Sequence, residues 1–289
     1  GLAGYDSALK LALASLVTDR TVTGTVDVAT TSVSDPAAFA RVQAGSLDEA
    51  SARTEAYIRN NYGAYAESSE FFETLAAREQ GAPVVNIAQP FKSSGMMLTC
   101  LKDSGVATPA DFKGKTLGVW FFGNEYPFYA WMAKLGLSTE GGAEGVEVLK
   151  QAFNVDPLIQ KQAACISTMT YNEYWQVIDA GIKAEDLVTF KYEDEGVATL
   201  EDGLYVLEDK LADPAFKEKM VKFVRASMKG WKEAEANPDE AAMIVLENDQ
   251  TGAQTELHQK RMMGEVAKLT AGSNGALDVA AAEKTVATL

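Results

Sequence analysis

The feature that most constrains this chain is an alternation of short apolar segments with helical segments between residues 84 and 192. The apolar segments have the length and composition of buried strands, and they cover residues 84–89, 95–101, 116–121, 146–151, 165–170 and 187–192. The segments predicted as helices lie between them, at residues 109–114, 127–135, 156–161 and 172–180. Strands that alternate with helices are typical of a mostly parallel sheet covered on both faces. The sequence therefore predicts an α/β fold.

The segments on either side of this block differ from it. After Gly203 the sequence predicts one strand at residues 204–208 and then helices at 216–234, 239–247 and 255–269. Before it, the pattern favours a helix over 9–17, a strand over 22–28 and helical structure over 46–77 with a break at 60–63. We therefore predict an inner lobe at 95–199 and a discontinuous outer lobe made of 1–94 and 200–289. The chain is expected to cross between the lobes near Gly95 and between Gly196 and Gly203, where glycine tolerates large backbone changes.

Length and charge narrow the range of functions. A chain of 289 residues is long enough for two domains. With 41 acidic against 26 basic residues, its net charge of −15 argues against a nucleic-acid partner, because binding phosphates requires a basic surface. The sequence has no apolar run of the roughly 20 residues needed to span a bilayer. Residues Gly1 to Tyr5 show no signal-peptide features, so we expect either a cytoplasmic protein or a secreted one whose leader has been removed.

The residues that most often carry catalysis or bind metal ions are scarce in this sequence. Its single histidine, His258, lies in a segment predicted to be a surface helix, where a catalytic role is not favoured. No cysteines and histidines have metal-ligand spacing and no glycine-rich nucleotide motif is present, so we expect no metal and no cofactor. Cys100 and Cys165 lie in apolar strand-like segments. Buried free thiols are the ordinary interpretation of these cysteines, and a disulfide is the alternative.

An aromatic-rich stretch at residues 118–131 spans a predicted strand-to-helix junction. In parallel α/β sheets the ligand crevice lies at the carboxyl ends of the strands, which is where this junction falls. The residues predicted to form a binding site here are Trp120, Asn124, Glu125 and Tyr126. An aromatic ring stacks on a flat heterocycle, Asn124 caps the helix, and Glu125 accepts a hydrogen bond from a ligand amine. The alternative is that the aromatic residues are core and that Glu125 only complements the helix dipole.

A second strand-to-helix junction has the same kinds of residue. Tyr171, Asn172 and Glu173 directly follow the strand predicted at 165–170, and they offer an aromatic ring, an amide and a carboxylate. Two such junctions in one lobe are expected at the same edge of the sheet, so we add these three residues to the predicted site. Among the acidic residues of the second crossing, Asp194 is the one expected to face the cleft.

Several long motifs resemble the NMT1/THI5-like group of periplasmic solute-binding proteins. They are GKTLGVWFFGNEYPFYAWMAKLGL at 114–137, QAFNVDPLI at 151–159, MTYNEYW at 169–175 and GVATLEDGLYV at 196–206. The likeness runs from Arg78 to the C-terminus. The resemblance implies the type II periplasmic-binding-protein fold, in which two α/β lobes joined by a two-crossing hinge close on a ligand cleft. It also implies a periplasmic receptor that delivers its ligand to the permease and ATPase of an ABC transporter.

The resemblance further implies a ligand such as hydroxymethylpyrimidine or formylaminopyrimidine, which are thiamine pyrimidine precursors, although related receptors bind riboflavin. The enzymes of the family have a cysteine-rich motif and an active-site histidine, and this sequence has neither. Residues 1–77 do not match the N-terminal region of the family, so no ligand contacts are carried over to them. We therefore predict a monomeric receptor and not an enzyme. A pyrimidine-synthesising enzyme and a sensory or scaffolding module without a ligand are the alternatives.

Overall fold

A computed structural model describes residues 67–69, 71–79, 81–121 and 123–288. The helix predicted over 9–17, the strand predicted over 22–28 and most of the helical region predicted over 46–77 lie outside these residues. Where the last region is described, the helix is confirmed from Phe71 onward, whereas residues 67–69 form a strand and the prediction of a helix there is wrong. The reason is tertiary, because these residues pair with a strand more than 130 positions later in the chain, at 203–205.

The described strands and helices follow the predicted order closely. The strands are β1 Glu67–Ser69, β2 Val84–Ala88, β3 Met96–Leu101, β4 Thr116–Val119, β5 Glu147–Lys150, β6 Cys165–Met169, β7 Leu187–Lys191 and β8 Gly203–Leu207. The α-helices are α1 Phe71–Glu79, α2 Glu125–Leu135, α3 Asp156–Ile159, α4 Glu173–Asp179, α5 Tyr192–Glu195, α6 Pro214–Ala236, α7 Pro238–Asn248, α8 Glu256–Thr270 and α9 Val279–Thr288. None of these helices has the length and apolar character of a membrane span in the described part of the chain.

Every strand and helix predicted from residue 84 onward is present, with its ends shifted by at most two residues. The segment predicted at 109–114 is a short 3₁₀ helix, Pro109–Phe112. The helices α5 and α9 were not predicted. α5 is a single turn, and α9 is rich in alanine and has too few large apolar side chains to show a clear helical stripe.

The larger sheet has the strand order β5-β4-β6-β3-β7. β4 is parallel to both β5 and β6, whereas β3 is antiparallel to its two neighbours, β6 and β7. Four of the five strands therefore run in one direction, which confirms the mostly parallel sheet predicted from the sequence. Because β4, β5, β6 and β7 share a direction, their carboxyl ends lie at one edge of the sheet.

The smaller sheet has the order β1-β8-β2 and is antiparallel throughout. The chain passes from it to the larger sheet between β2 and β3, and it returns between α5 and β8. These two crossings, residues 89–95 and 196–202, coincide with the segments predicted as hinges. The lobe boundaries assigned from the sequence stay a prediction.

Cys100 and Cys165 form a disulfide, so the expectation of two free thiols is wrong. The two residues lie opposite each other in the antiparallel pair of β3 and β6. Because 65 positions separate them in the sequence, their contact depends on the register of two distant strands and not on a local pattern. Both side chains are buried, so the disulfide lies inside the core and joins the first strand after a crossing to a strand that ends at the predicted site.

Candidate functional site

The predicted site residues lie at the edge of the larger sheet where the parallel strands end. The junctions after β4 and β6 are next to each other, because these two strands are paired in parallel. β5 lies on the other side of β4, so the loop that follows β5 belongs to the same edge. The fold therefore brings both predicted junctions to one edge, as the sequence argument expected, and adds a third loop to it.

Trp120 follows β4 and is only 2% exposed, so its ring is not open to solvent. Phe153, from the loop after β5, covers it with a ring centroid 6.0 Å away and an interplanar angle of 31°. The Trp120 indole Nε1 is buried, and no acceptor for it is found among the described residues. Phe153 is 49% exposed, more than the other described aromatic residues of this edge, which are intermediate or buried. Its exposure could not be read from the sequence, because nothing in the local pattern shows it.

α2 begins at Glu125, with Asn124 at its N-cap position and Tyr126 in its first turn. A tight turn precedes it at Gly123, whose φ of +104° favours glycine. Oε2 of the buried Glu125 accepts a 2.7 Å hydrogen bond from the Gly123 backbone N–H, which closes this turn. Asn124 does not cap α2 with its side chain, so that prediction is wrong. Its backbone is already helical, and its amide donates only a 3.5 Å bond to the Phe121 carbonyl. Burial, followed by the charge of Glu125, raises the pKa of the Tyr126 hydroxyl.

Tyr171, Asn172 and Glu173 are all buried at the junction between β6 and α4. Glu173 accepts a 3.0 Å hydrogen bond from the Met169 N–H through Oε2 and a 2.8 Å bond from the Asn172 side-chain amide through Oε1. The Asn172 side-chain oxygen accepts a 3.0 Å bond from the side chain of Gln176. The polar groups of Asn172 and Glu173 are therefore bonded within the junction, where they hold the turn between strand and helix.

α8 contacts this junction from the C-terminal part of the chain. His258 Nε2 lies 2.9 Å from the side-chain oxygen of Asn172. One turn further along α8, Arg261 pairs with Asp179 at 2.6 Å and lies over the ring of Trp175. The sequence predicted that His258 lies on a surface helix. In the structure its side chain is instead half-buried between α8 and α4. Burial lowers the pKa of its imidazole, although nearby carboxylates act in the opposite direction.

Asp194, the acidic residue expected to face the cleft, lies exposed in the single turn of α5. Its neighbour Glu193 instead contacts the first crossing, where it accepts a 2.7 Å hydrogen bond from the Ser94 N–H. The deeply buried carboxyl group of this region is Glu201, in the second crossing. Sequence reasoning missed Glu201 because it is one of several acidic residues in a turn, and its burial depends on how the two crossings pack.

Glu201 is 2% exposed and connects the two crossings. Its Oε1 accepts hydrogen bonds from the Gly95 N–H and from the Ser94 hydroxyl, the latter at 3.0 Å. Its Oε2 is buried, and no donor for it is found in the part of the chain that the structure describes. Burial, together with the charge of Asp202, raises the pKa of Glu201 from 4.5 to about 7. The group therefore has an acceptor that no described residue uses, and its raised pKa lies near neutral pH.

Gln89 makes the reverse connection, from the first crossing to the second. Its side-chain amide donates to the carbonyl oxygens of Glu201 at 2.7 Å and Asp202 at 3.0 Å. Gly95 brings the crossings against the β6 junction, since a Cβ atom at this position would lie 3.1 Å from the ring of Tyr171. The Glu201 carboxyl group, Gly95 and Tyr171 are therefore adjacent, at the place where the chain passes between the two sheets.

A groove of about 840 Å³ lies away from this edge, between β2 and α6. Its floor is mostly apolar, its rim carries several lysines, and none of the predicted site residues lines it. Within the described residues, no cluster of histidine, cysteine, aspartate and glutamate is arranged to hold a metal ion. The edge of the larger sheet and the adjoining crossings are therefore the candidate site.

A family model described as NMT1/THI5 like matches residues 49–241, which is more than half of the chain, so the expectation that the likeness begins only at Arg78 is wrong for residues 49–77. No curated protein sequence matches significantly. One similar solved structure is the periplasmic aliphatic sulphonate binding protein SsuA from Escherichia coli, with 11% identity, a TM-score of 0.59, and coverage of 84% of this chain and 82% of that chain. Another is the ligand-binding component of an ABC-type import system from Staphylococcus aureus with zinc bound, with 12% identity, a TM-score of 0.57, and coverage of 80% and 75%.

The fold also occurs outside transport. The desulfurization enzyme DSZB, solved in complex with biphenyl-2-sulfinic acid, is similar with 13% identity, a TM-score of 0.53, and coverage of 81% of this chain and 80% of that chain. At these identities the structures show the fold alone. That fold is the type II periplasmic-binding-protein fold expected from the sequence, with its α/β sheets connected by two crossings.

Proposed function

The chain belongs to the NMT1/THI5-like family, and from that premise we propose that it is the solute-binding receptor of an ABC importer. Such a receptor closes on its ligand and makes or breaks no covalent bond, so it needs a shaped cleft and hydrogen-bonding groups in place of a nucleophile. The permease and ATPase of the importer are its proposed partners, and the periplasm is its proposed location. The disulfide between Cys100 and Cys165 supports an oxidising compartment.

The observation that carries this proposal is the carboxyl group of Glu201. It belongs to the second crossing, it accepts hydrogen bonds from Ser94 and Gly95 of the first, and it keeps one buried oxygen without a donor among the described residues. A buried acceptor without a partner costs free energy, so a ligand that donates a hydrogen bond to Oε2 gains from satisfying it. Glu201 belongs to the second crossing and is hydrogen-bonded to Gly95 of the first. A ligand that contacts Glu201 is therefore linked to the two segments that bend when the lobes move.

The proposed ligand is a nitrogen-rich aromatic molecule, with hydroxymethylpyrimidine or formylaminopyrimidine as the first candidates and riboflavin as the next. The amino group of such a pyrimidine is a donor suited to Glu201, and the buried ring of Tyr171 lies next to Gly95, where movement of the crossings would bring it against the ligand. Of the other predicted residues, the half-buried Asn124 and Tyr126 are assigned to the walls of the cleft and the exposed Asp194 to its rim. The buried Trp120, Glu125, Asn172 and Glu173 are assigned to the support behind these walls. The proposed receptor acts as a monomer.

The experiment that tests this function begins with native mass spectrometry of gently purified protein, which detects a ligand that copurifies. Hydroxymethylpyrimidine, formylaminopyrimidine and riboflavin are then titrated by calorimetry, with the melting temperature measured in parallel. We expect one of the pyrimidines to bind saturably and to raise the melting temperature, because a ligand that binds only the folded state stabilises it. A protein that copurifies with nothing and binds none of the three contradicts the proposed ligand class.

A second candidate is an enzyme on the same fold, because DSZB shares that fold and is an enzyme. Two observations favour the receptor. The only two cysteines of the chain are joined in a disulfide and offer no thiol nucleophile. The only histidine, His258, is hydrogen-bonded to Asn172. Incubation of the protein with each pyrimidine, followed by mass spectrometry of the small molecules, tests this candidate, and recovery of unchanged ligand is the expected result.

A further inference from the structure

We propose that Phe153 forms an aromatic subsite at the carboxyl end of β5, which stacks on a planar aromatic ring and is separate from the contact at Glu201, too far from it for a single pyrimidine to reach both. The inference rests on the proposed receptor function and adds a second point of recognition to it. Four observations support it: the exposure of the Phe153 ring, the buried Trp120 behind it, the hydrogen bonds that fix its loop, and the distance between Phe153 and Glu201.

The exposure of Phe153 is unusual for its position. Among the described residues it is the only aromatic in the group of strongly exposed large apolar side chains. It also lies at the carboxyl edge of the parallel strands, where ligands bind in open α/β sheets. Leaving a phenyl ring half in water forgoes hydrophobic free energy that a ligand ring recovers when it covers the ring.

Only the outer face of Phe153 is available to a ligand. Its inner face lies against Trp120, and the two ring centroids are 6.0 Å apart. Interacting aromatic rings are themselves separated by about 4.5–7 Å, so a third ring does not fit between these two. Trp120, predicted from the sequence as the stacking residue, therefore supports the Phe153 ring from behind. Its indole N–H is buried and has no acceptor among the described residues.

The loop that carries Phe153 is fixed at its start by Gln151. The Gln151 side chain crosses β4 and exchanges two hydrogen bonds with the backbone of Ser167 in β6, at 2.8 Å and 2.9 Å. It passes over Gly118, where an added Cβ would lie 3.0 Å from the Gln151 side-chain oxygen. The same amide donates a 3.2 Å bond to the carbonyl of Asn154. The ring is therefore presented by an anchored loop, which lowers the entropic cost of stacking on it.

Phe153 and Glu201 are too far apart to be one contact. β5, β4, β6 and β3 are consecutive in the sheet, so Phe153 after β5 and Gly95 before β3 are separated by three strand spacings, roughly 14 Å. Glu201 is bonded to Gly95. A small bicyclic ring is shorter than this separation, so a probe without an amino group tests the subsite at Phe153 without using Glu201.

The probe is indole, a flat ring that does not resemble the proposed pyrimidines. Its binding is measured by ligand-observed NMR titration with the wild-type protein, Phe153→Ala, Phe153→Leu and Phe153→Tyr. Val279→Ala, which trims an exposed apolar residue of α9, is the matched control. We expect Phe153→Ala and Phe153→Leu to weaken indole binding roughly tenfold, because the flat ring is lost, and Phe153→Tyr to stay within about threefold of wild type. Val279→Ala is expected to bind indole as the wild type does.

The outcomes separate this inference from the function on which it rests. If no pyrimidine binds but indole binds in a Phe153-dependent way, the proposed ligand class fails and the aromatic subsite stands. If indole does not bind the wild-type protein, or binds Phe153→Ala equally well, the subsite is overturned even where a pyrimidine binds. A melting temperature for Phe153→Ala within a few degrees of wild type shows that lost binding is not lost folding.

Discussion

Two buried carboxyl groups at the candidate site differ in how their oxygens are used. Glu173 and Glu201 have the same exposure, 2%. Both oxygens of Glu173 accept hydrogen bonds within its own junction, from the Met169 N–H and the Asn172 amide. Oε1 of Glu201 accepts hydrogen bonds from Ser94 and Gly95 in the first crossing, whereas its Oε2 has no donor among the described residues. Burial alone therefore does not mark a ligand contact, and what sets Glu201 apart is a buried acceptor without a donor among the described residues, at the point where the chain changes sheets.

The difference also separates a structural role from a functional one. The bonds of Glu173 are local, within four residues along the chain, and they hold the start of α4. The bonds of Glu201 span more than a hundred residues and join the segments through which the chain changes sheets. The same substitution, glutamate to glutamine, is therefore expected to have opposite consequences at the two positions.

The largest expected effect concerns pH and Glu201. Its pKa is raised in the folded state from 4.5 to about 7, so between these values the folded protein binds a proton that the unfolded chain does not. The free energy of unfolding of the wild type, relative to Glu201→Gln, should therefore fall as pH rises from about 4.5 to about 7, by up to about 3 kcal/mol. Urea unfolding of both proteins across this range measures the difference, and a difference that does not change with pH contradicts it.

The next effect is on stability at Glu173. Glu173→Gln replaces one of two accepting oxygens with an amide that faces either the Met169 N–H or the Asn172 amide, both of which are donors. We expect a loss of about 1–3 kcal/mol in the free energy of unfolding at pH 7, because a buried hydrogen bond is broken. Glu201→Gln keeps an oxygen for Gly95 and Ser94 and is expected to lose less. Equal losses in chemical denaturation would remove the distinction between the two groups.

The smallest effect concerns His258, which contacts the Glu173 junction through Asn172. His258→Ala removes this hydrogen bond while Asn172 keeps its bond from Gln176, so we expect a loss of about 1 kcal/mol. Leu257→Ala, one position earlier on α8 and largely exposed, is the control and should be nearly neutral. A loss of several kcal/mol for His258→Ala, measured by thermal unfolding, indicates that α8 and α4 depend on each other more than this single bond implies.

Much of the fold could be predicted because its signals are local. The strands β2 to β8 are short apolar runs bounded by glycine, proline or charged residues, and the edge that carries Trp120 and Tyr171 follows from their order. The disulfide could not be predicted, since it depends on the register between β3 and β6. The strand at residues 67–69 was misread for the same reason, because only its pairing with β8 makes it a strand.

The candidate site was predicted in position but not in its details. The residue types in the sequence identified the junctions. They could not show that a carboxylate oxygen of Glu125 is bonded within its turn, whereas one oxygen of Glu201 has no donor among the described residues. Asp194 and Glu201 occur in the same acidic stretch, and only the packing of the crossings buries one and exposes the other. Phe153 was overlooked because exposure is a property of the fold and not of the residues next to it.

The most direct test of this account is a pair of dissociation constants for the pyrimidine that binds the wild type most tightly, measured by calorimetry at pH 7. Glu201→Gln is predicted to weaken binding roughly tenfold or more, because an amide NH₂ donor takes the place of the accepting Oε2, while its melting temperature stays close to wild type. Glu173→Gln is predicted to bind as the wild type does at a temperature where it is folded. An unchanged dissociation constant for Glu201→Gln, or an equal loss in both variants, would contradict the claim that the free oxygen of Glu201 receives the ligand.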